Sequence, residues 1–405
     1  MRSRRAFWVV AHRWIGLTTA LLLIIVGVTG SLLAYYGELD RALNPELLTV
    51  TPRGAMIDPF TLRDRVAALE PHGDVDVIDL EPVPDKAYQL LVTPHEDPST
   101  GRPYDLGYDV MFVDPYSGAR LGERRWGEAS MARKNLMPFV YKVHYALGLP
   151  APLFMFGIYL LGVVALAWTV DCFVALYLTL PSGRRGASSR RSYLQRLRPA
   201  WWPKWRAGPF RLWYDLHRAA GLWAWAMLFV LAWSSVALNF TEVYEPVTRA
   251  LLGPITPAEV APRRSSGAVL AWRDAYARGR ELMAEAARRH DFHVLRESAL
   301  SLDRDVGVYR YVVHGTADTH ANGYTATTFD AKTGEFVRLE WAGSQTASDV
   351  VTSWLIALHT ARVFGAPMHA FVCAMGLVIA MLAASGVYVW WVKRRRRARM
   401  RGVVA

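Results

Sequence analysis

Four histidines stand beside four hydrophobic stretches of this chain, and two of them lie in the same short pattern. His12 begins His-Arg-Trp-Ile-Gly-Leu, and His217 begins His-Arg-Ala-Ala-Gly-Leu. His144 and His359 precede the other two stretches, and each is followed by a Gly-x-Pro sequence. A haem iron held by two axial histidines has no open position, which favours electron transfer over oxygen binding. The pattern therefore predicts two haems, one held by His12 and His217 and one by His144 and His359.

Small residues near these histidines favour the same interpretation. Gly16 and Gly221 each lie four positions after a histidine, one turn along on the same helical face, where a porphyrin needs room. Gly148 repeats this offset after His144, whereas Val363 occupies it after His359. His359 is therefore the one histidine of the four that lacks a glycine at this spacing.

His369 competes with His359 for that fourth position. It lies further along the chain, but Pro367 is expected to begin the membrane helix and to break continuity between the two histidines. His359 is the preferred ligand, and His369 is then an interfacial residue or a partner for a haem propionate. Arg13 and Arg218 directly follow the first two histidines and could also bind propionates, or anchor the chain among lipid headgroups.

The four hydrophobic stretches are long enough to cross a bilayer. The chain of 405 residues is 52% hydrophobic and contains 16 Trp, and its charges are gathered into blocks. Three stretches contain no charged side chain, and the fourth has only His369 as an ionisable residue. They run over 14–36, 149–170, 219–241 and 364–392. A cleaved signal peptide is the weaker interpretation of the first stretch, because the apolar run is long and cleavage after it would discard His12.

Arginine and lysine residues cluster beside the helix ends, which accounts for the net charge of +12. By the positive-inside rule, both termini and the middle loop are cytoplasmic, so nucleic-acid binding is not needed to explain the basic runs. The predicted segments are 1–36 (first membrane helix), 37–143 (first outer domain), 144–180 (second membrane helix), 181–211 (basic cytoplasmic loop, with Arg184, Arg185, Arg190 and Arg191), 212–241 (third membrane helix), 242–355 (second outer domain), 356–392 (outer histidine turn and fourth membrane helix) and 393–405 (basic cytoplasmic tail).

The second half of the chain repeats the order of the first. The spacing from His12 to His144 is close to the spacing from His217 to His359. Each outer segment contains a predicted helix, at 59–69 and 271–289, and strands at 87–92, 109–114, 308–313 and 325–330. Asp-Pro-Tyr-Ser-Gly follows one strand at Asp114, and Asp-Ala-Lys-Thr-Gly follows another at Asp330. Each outer segment is therefore predicted to be a small α+β domain.

These strand-Asp-x-x-x-Gly units resemble PepSY domains. The Leu-His before the last helix and its Ser385-Gly-Val-Tyr-Val-Trp-Trp ending resemble the PepSY-associated transmembrane family, and the resemblance covers nearly the whole chain. Some members of that family are ferric-siderophore reductases of the bacterial inner membrane that carry b-type haems. The resemblance implies a multi-pass inner-membrane protein with two bis-histidine b-type haems, two periplasmic PepSY-like domains and a ferric siderophore as electron acceptor.

No Gly-x-Gly-x-x-Gly follows a strand, so the electron donor is expected to be a separate cytoplasmic-side protein or a quinol. No side chain is assigned a catalytic role beyond haem binding. Asp171 is an acid within an apolar stretch near the inner interface, where a proton relay is the weaker interpretation. Aromatic and basic residues could form a docking rim near the outer haem: Trp126, Tyr141, Tyr145, Trp341, Trp354, Arg124, Arg125, Arg133 and Lys134.

Two rival functions stay open. The PepSY-like domains could make the chain a non-redox membrane regulator or scaffold, and the histidines would then be interfacial side chains. The chain could also be a siderophore or metal permease, although the sequence shows no sign of a broken, polar-lined helix within the membrane. Cys172 and Cys373 are expected near opposite faces of the membrane, too far apart for a disulfide.

Overall fold

The computed structural model describes residues 2–181, 192–256, 268–318 and 323–402. Residues 182–191, which include Arg184, Arg185, Arg190 and Arg191 of the predicted basic loop, lie outside this part. The helices in chain order are α1 (Arg2–Leu33), α2 (Tyr36–Leu43), α3 (Pro45–Leu48), α4 (Pro59–Leu69), α5 (Arg133–Ala146), α6 (Phe154–Thr179), α7 (Tyr193–Leu197), α8 (Pro209–Trp223), α9 (Trp225–Asn239), α10 (Thr241–Leu252), α11 (Trp272–His290), α12 (Ala347–His359) and α13 (Ala366–Gly402).

The strands in chain order are β1 (Gly73–Val75), β2 (Val77–Asp79), β3 (Tyr88–Pro94), β4 (Glu96–Asp97), β5 (Arg102–Pro103), β6 (Val110–Val113), β7 (Arg120–Arg124), β8 (Val294–Asp303), β9 (Val308–Gly315), β10 (Thr325–Asp330) and β11 (Phe336–Glu340). The chain divides into two compact units. The helical unit comprises Met1–Tyr36, Val140–Thr248 and Trp354–Ala405, and the sheet unit comprises Gly37–Phe139 and Arg249–Ser353.

Three helical stretches of the described chain are long and apolar enough to cross a membrane. They are Arg4–Leu33, Arg133–Thr179 and Ala366–Arg399. Helix α6 illustrates their apolar character. Asp171 is the one acidic or basic side chain among its 26 residues. Helix α13 begins at Ala366, next to Pro367, as the sequence predicted.

The third predicted membrane helix is not continuous. Helices α8 and α9 meet at Ala224 with a bend of 71°, and they add a fourth span only if the bent pair is counted as one. Trp225, directly after the break, donates from its indole Nε1 to the carbonyl oxygen of Cys172 at 2.9 Å. No proline stands at the break, so the residues around it do not indicate a bend. The third membrane helix is therefore broken, a feature that the sequence did not indicate, but buried residues beside the break such as Leu222 and Leu228 are apolar.

Helices α1 and α13 cross closely because glycines face each other at the contact. A Cβ atom built on Gly27 would lie 2.6 Å from the carbonyl oxygen of Gly376, and one built on Gly376 would meet Ser31 and Gly27. Ser31 Oγ donates to the carbonyl oxygen of Cys373 at 2.9 Å across the same contact. Small residues allow membrane helices to approach closely and to pack by van der Waals contact.

Each of the two larger antiparallel sheets in the sheet unit packs against one helix. The first has the strand order β1-β3-β6-β7, and the second has the order β11-β10-β9-β8-β2. Leu62 and Val66 of α4 are buried against the first sheet, and Leu282 and Met283 of α11 are buried against the second. The predicted helices at 59–69 and 271–289 and the four predicted strands are confirmed, with only small differences at their ends.

One strand from residues 37–143 completes the sheet formed by residues 242–355. Strand β2 pairs antiparallel with β8, with Ile78 opposite Leu300. Ion pairs also join the two segments, between Arg304 and Asp76 at 2.9 Å and between Arg273 and Asp58 at 2.6 Å. The segments that the sequence presented as separate α+β domains therefore share one sheet within one compact unit.

The repeated Asp-x-x-x-Gly unit forms the same turn in both places. Asp114 Oδ1 accepts from the backbone N–H of Tyr116 at 2.8 Å, and Asp330 Oδ1 accepts from the backbone N–H of Lys332 at 2.9 Å. Gly118 and Gly334 end these turns with φ of 73° and 71°, a left-handed conformation that glycine adopts without steric cost. The internal repeat seen in the sequence thus extends to local structure.

Candidate functional site

The structure brings together the two imidazoles of each predicted pair, all within the helical unit. The first pair is His12 of α1 and His217 of α8, whose ring centres are 6.1 Å apart at an interplanar angle of 62°. The second pair is His144 of α5 and His359 of α12, whose ring centres are 6.2 Å apart at 70°. An imidazole nitrogen binds a transition metal at about 2 Å, so the separation of the rings in each pair would leave room for one metal ion between them.

Acceptor groups from other helices hold the Nδ1 atoms of the first pair. Nδ1 of His12 lies 2.9 Å from both carboxylate oxygens of Asp171 on α6. Nδ1 of His217 lies 3.0 Å from the carbonyl oxygen of Leu382 and 2.9 Å from Oγ of Ser385, both on α13. A carboxylate and a carbonyl can only accept a hydrogen bond, so both Nδ1 atoms carry the proton.

Hydroxyl groups hold the Nδ1 atoms of the second pair. Thr29 Oγ1 on α1 lies 3.0 Å from Nδ1 of His144, and Ser234 Oγ on α9 lies 2.7 Å from Nδ1 of His359. Each hydroxyl also donates its one proton to a carbonyl oxygen of its own helix, at 2.8 Å and 3.1 Å. With the hydroxyl proton directed to that carbonyl, the oxygen accepts a hydrogen bond from Nδ1.

In the neutral form of each ring, a proton on Nδ1 leaves the lone pair on Nε2. The hydrogen bonds described above for the four rings all involve Nδ1. Metal-binding histidines almost always donate from their other ring nitrogen to a carboxylate, a carbonyl or another acceptor, which fixes the tautomer and the ring orientation. The four rings are arranged as such ligands are.

The internal repeat includes these partner residues. The offset from His12 to Thr29 equals the offset from His217 to Ser234. The offset from His144 to Asp171 exceeds the offset from His359 to Ser385 by a single position. Each half of the chain therefore supplies one imidazole to each pair and one acceptor to each pair. Asp171 and Ser385 occupy nearly equivalent positions, yet one carries a charge and the other does not.

Two imidazoles pack against a dipeptide in which glycine follows the hydroxyl residue. A Cβ built on Gly30, next to Thr29, would lie 2.9 Å from Cε1 of His144. A Cβ built on Gly386, next to Ser385, would lie 3.4 Å from Cε1 of His217. In each dipeptide the hydroxyl residue contacts Nδ1 of the imidazole, and the glycine has no side chain that would collide with the ring.

Space also lies beside the first pair where the sequence placed the porphyrin. A Cβ built on Gly16 would meet nothing within 4 Å, and one built on Gly221 would meet only Leu382, at 3.9 Å. These positions fit a large planar group. Gly148 differs, because α5 ends at Ala146 and Gly148 lies in the following turn with φ of 67°. The idea that Gly148 clears a helical face after His144 is therefore wrong.

The two arginines after the first histidines have different surroundings. The guanidinium of Arg13 lies 5.6 Å from the centre of the Trp14 ring. Arg218 donates to Asp215 at 3.1 Å and to the carbonyl oxygen of Pro199. Asp215 is fully buried and also accepts from Arg211 at 2.8 Å. Arg218 thus has a structural partner, and propionate binding by either arginine stays a prediction.

The geometry separates the two candidates for the fourth ligand. His359 lies against His144, whereas the ring of His369 lies 5.9 Å from the ring of Tyr35 in an edge-to-face contact. The structure therefore places His359 in the second pair. It also changes the predicted aromatic and basic rim, because Arg124 is 3% exposed and bonds to buried Asp40 at 2.9 Å. Arg124 is not available at a surface.

Four side chains of the site, those that hold Nδ1 atoms, are not indicated as histidine partners by the sequence analysis. Asp171 could have been found, because it is an acid in an apolar helix and was placed near the same interface as His12. Thr29, Ser234 and Ser385 carry weaker signals, since hydroxyl residues are common in membrane helices and usually bond to their own helix. Their matching offsets from the histidines are the one pattern that could have singled them out.

Among the described residues, no group of three or more His, Cys, Asp and Glu side chains could hold a metal ion. The histidines occur as pairs, and a pair leaves the remaining coordination positions to a ligand such as a porphyrin. The spans and the buried polar contacts between them define a multi-pass membrane protein with two paired-histidine sites. A family model for the PepSY-associated TM region matches residues 9–393, so the chain belongs to that family. No curated protein sequence matches the chain.

Proposed function

We propose that this chain is a two-haem electron-transfer protein of the bacterial inner membrane. A four-helix core, with the bent α8 and α9 counted as one span, would bind two b-type haems, and two PepSY-like domains would lie in the periplasm with both termini in the cytoplasm. The observation that carries the proposal is the geometry of the four imidazoles. Both pairs have centres 6.1–6.2 Å apart, and all four Nδ1 atoms are engaged, which leaves Nε2 for iron.

The chain's own residues account for binding and orientation. His12 and His217 would hold one haem, and His144 and His359 the other. When bound, the haems would supply reversible one-electron chemistry with no open iron position. The two sites are separated along α1, because His12 and Thr29 lie about 26 Å apart at the rise per residue of an α-helix. Two sites at this separation are suited to moving charge across a bilayer about 30 Å thick.

We propose a ferric siderophore as the periplasmic acceptor, on the basis of the family resemblance. Each Fe(III) would take one electron and become Fe(II), which hard oxygen ligands bind less tightly, so the metal would be released. The electron would come from a cytoplasmic-side protein or a quinol. The overall activity would then be that of a ferric-siderophore reductase.

A haem count on purified protein tests the proposal. The pyridine haemochrome assay should give two haems per chain for the wild type. His12→Ala and His217→Ala should each lose one haem, and His144→Ala and His359→Ala should each lose the other. His369→Ala is the matched control and should retain both. A colourless protein from haem-replete cells would refute the proposal and favour a non-redox regulator or scaffold.

A siderophore or metal permease is the second candidate, because the helix pair α8 and α9 is broken at Ala224. Many transporters contain broken membrane helices. Buried neighbours of the break are apolar, including Leu222, Leu228 and Leu231, whereas transporter breaks usually expose backbone polar groups to an ion or substrate. Uptake of ferric siderophore into proteoliposomes that contain no electron donor would favour the permease. No uptake without a donor, together with two haems per chain, would favour the reductase.

A further inference from the structure

The two histidine pairs differ in the charge of the groups that hold their Nδ1 atoms. Three of the four rings donate to neutral oxygens, those of Leu382 and Ser385, Thr29, and Ser234. His12 alone among the four donates to a carboxylate, that of Asp171. The contact is equally close to both carboxylate oxygens, at 2.9 Å, and the Asp171 side chain is only 12% exposed.

The carboxylate of Asp171 forms its ion pair with His12. Among the described residues, no arginine or lysine forms an ion pair with Asp171, and its one ion-pair partner is His12. In a poorly solvated site, a negative charge bonded to Nδ1–H pulls that proton away from the ring and makes Nε2 a stronger electron donor. A stronger donor stabilises the oxidised, more positive form of an iron ligated at Nε2.

We infer that Asp171 is a positioning residue that makes the first pair the more electron-donating one, so that the haem held by His12 and His217 has the lower midpoint potential of the two. This inference rests on the proposed function. It assigns a direction to the protein: a single electron moves spontaneously from the reduced iron of the first pair, which becomes Fe(III), to the oxidised iron of the second pair, which becomes Fe(II). No bond forms or breaks, and the proton stays between His12 and Asp171.

Potentiometric titration of the whole protein, followed by its absorption spectrum, tests the inference. The haem of the first pair is identified as the one missing from His217→Ala. In the wild type, its midpoint potential should be lower than that of the other haem by at least about 59 mV. This difference corresponds to a tenfold equilibrium constant for transfer of one electron between the two haems. Asp171→Asn keeps a hydrogen-bond acceptor and removes the charge. It should raise the midpoint potential of the first-pair haem alone, and the equilibrium constant for electron transfer between the haems should change by about tenfold or more.

Ser385→Ala is the matched control, because it removes a neutral partner from the other ring of the same pair. The carbonyl oxygen of Leu382 still accepts from Nδ1 of His217 at 3.0 Å, so the potential should change less than in Asp171→Asn. Asp171→Glu keeps the charge and should restore the lower potential. A second readout needs no haem: ¹⁵N NMR of the haem-free protein should show a more polarised Nδ1–H on His12 in the wild type than in Asp171→Asn.

The outcomes separate this inference from the proposed function. Absence of haem in the wild type would overturn both. Two bound haems with equal potentials, or a first-pair haem with the higher potential, would overturn the inference and leave the proposed function standing. An equal potential shift in Asp171→Asn and Ser385→Ala would also overturn it, because a loss of ring positioning would then explain both. If Asp171→Asn does not retain its haem, the wild-type order of potentials and the NMR comparison decide.

Discussion

Gly30→Ala should weaken haem binding at the second pair while sparing the first. The added Cβ would lie 2.9 Å from Cε1 of His144, whereas carbon atoms in good contact are about 3.5–4.0 Å apart. The ring must therefore move by roughly 0.6–1.1 Å to restore such contact. It cannot do so freely, because Thr29, the residue before Gly30, holds its Nδ1 at 3.0 Å.

The expected magnitude follows from the cost of overpacking. Inserting a methyl group into a packed site costs about 1–3 kcal/mol. At about 1.4 kcal/mol per tenfold change, this corresponds to haem binding weakened by about 5–150-fold at the second pair. Gly386→Ala makes a 3.4 Å contact with His217 and should weaken the first pair by less than Gly30→Ala weakens the second. The steric distance therefore predicts both which haem is affected and by how much.

Haem titration into the haem-free protein, followed at the Soret band, measures this effect. The second-pair haem is identified as the one missing from His359→Ala. Leu21→Ala changes an exposed position of the same helix, where the side chain is 68% exposed, and should bind both haems like the wild type. Equal binding of both haems in Gly30→Ala, or loss of the first-pair haem instead, would refute the reasoning.

Three further predictions concern stability. Gly376→Val should separate α1 from α13 and lower the unfolding temperature of the helical unit. Thermal scanning of the detergent-solubilised protein measures this temperature, and an unchanged value would contradict the close crossing. Arg124→Met should destabilise the sheet unit by about 3–5 kcal/mol, because it leaves Asp40 buried without its charge partner, and denaturant unfolding that matches the wild type would argue against that pair. Burial raises the pKa of Asp114, but hydrogen bonds from backbone N–H groups and from the Arg53 guanidinium lower it by more. The folded pKa of Asp114 therefore lies below the ordinary value. The ionised carboxylate of Asp114 therefore stabilises the fold above the unfolded pKa of about 3.9, and this contribution is lost as pH falls through the folded pKa. Below about pH 4, the free energy of unfolding should depend less on pH in Asp114→Asn than in the wild type.

Much of the fold and the pairing of histidines could be predicted because both depend on local patterns. Apolar runs, turn residues and the repeated His-Arg-x-x-Gly-Leu each report on a few neighbouring positions, and the repeat relates distant ones. The bend at Ala224 could not be predicted, since no proline marks it and the contact of Trp225 beside it is to another helix. The role of Asp171 depended on the rotation of α6 about its axis, which hydropathy does not determine.

Strand β2 determines when the sheet unit can be completed. Val77 pairs with Ser301, which lies in the second half of the chain, so β2 has no partner until most of the protein has been synthesised. At about 5–20 residues per second, the ribosome needs roughly 11–45 s to make the interval between them. During this time β2, a strand of three residues, lacks the partner that it has in the folded protein. Pairing between strands this far apart in sequence slows folding, so completion of the second sheet is expected to wait for the synthesis of β8.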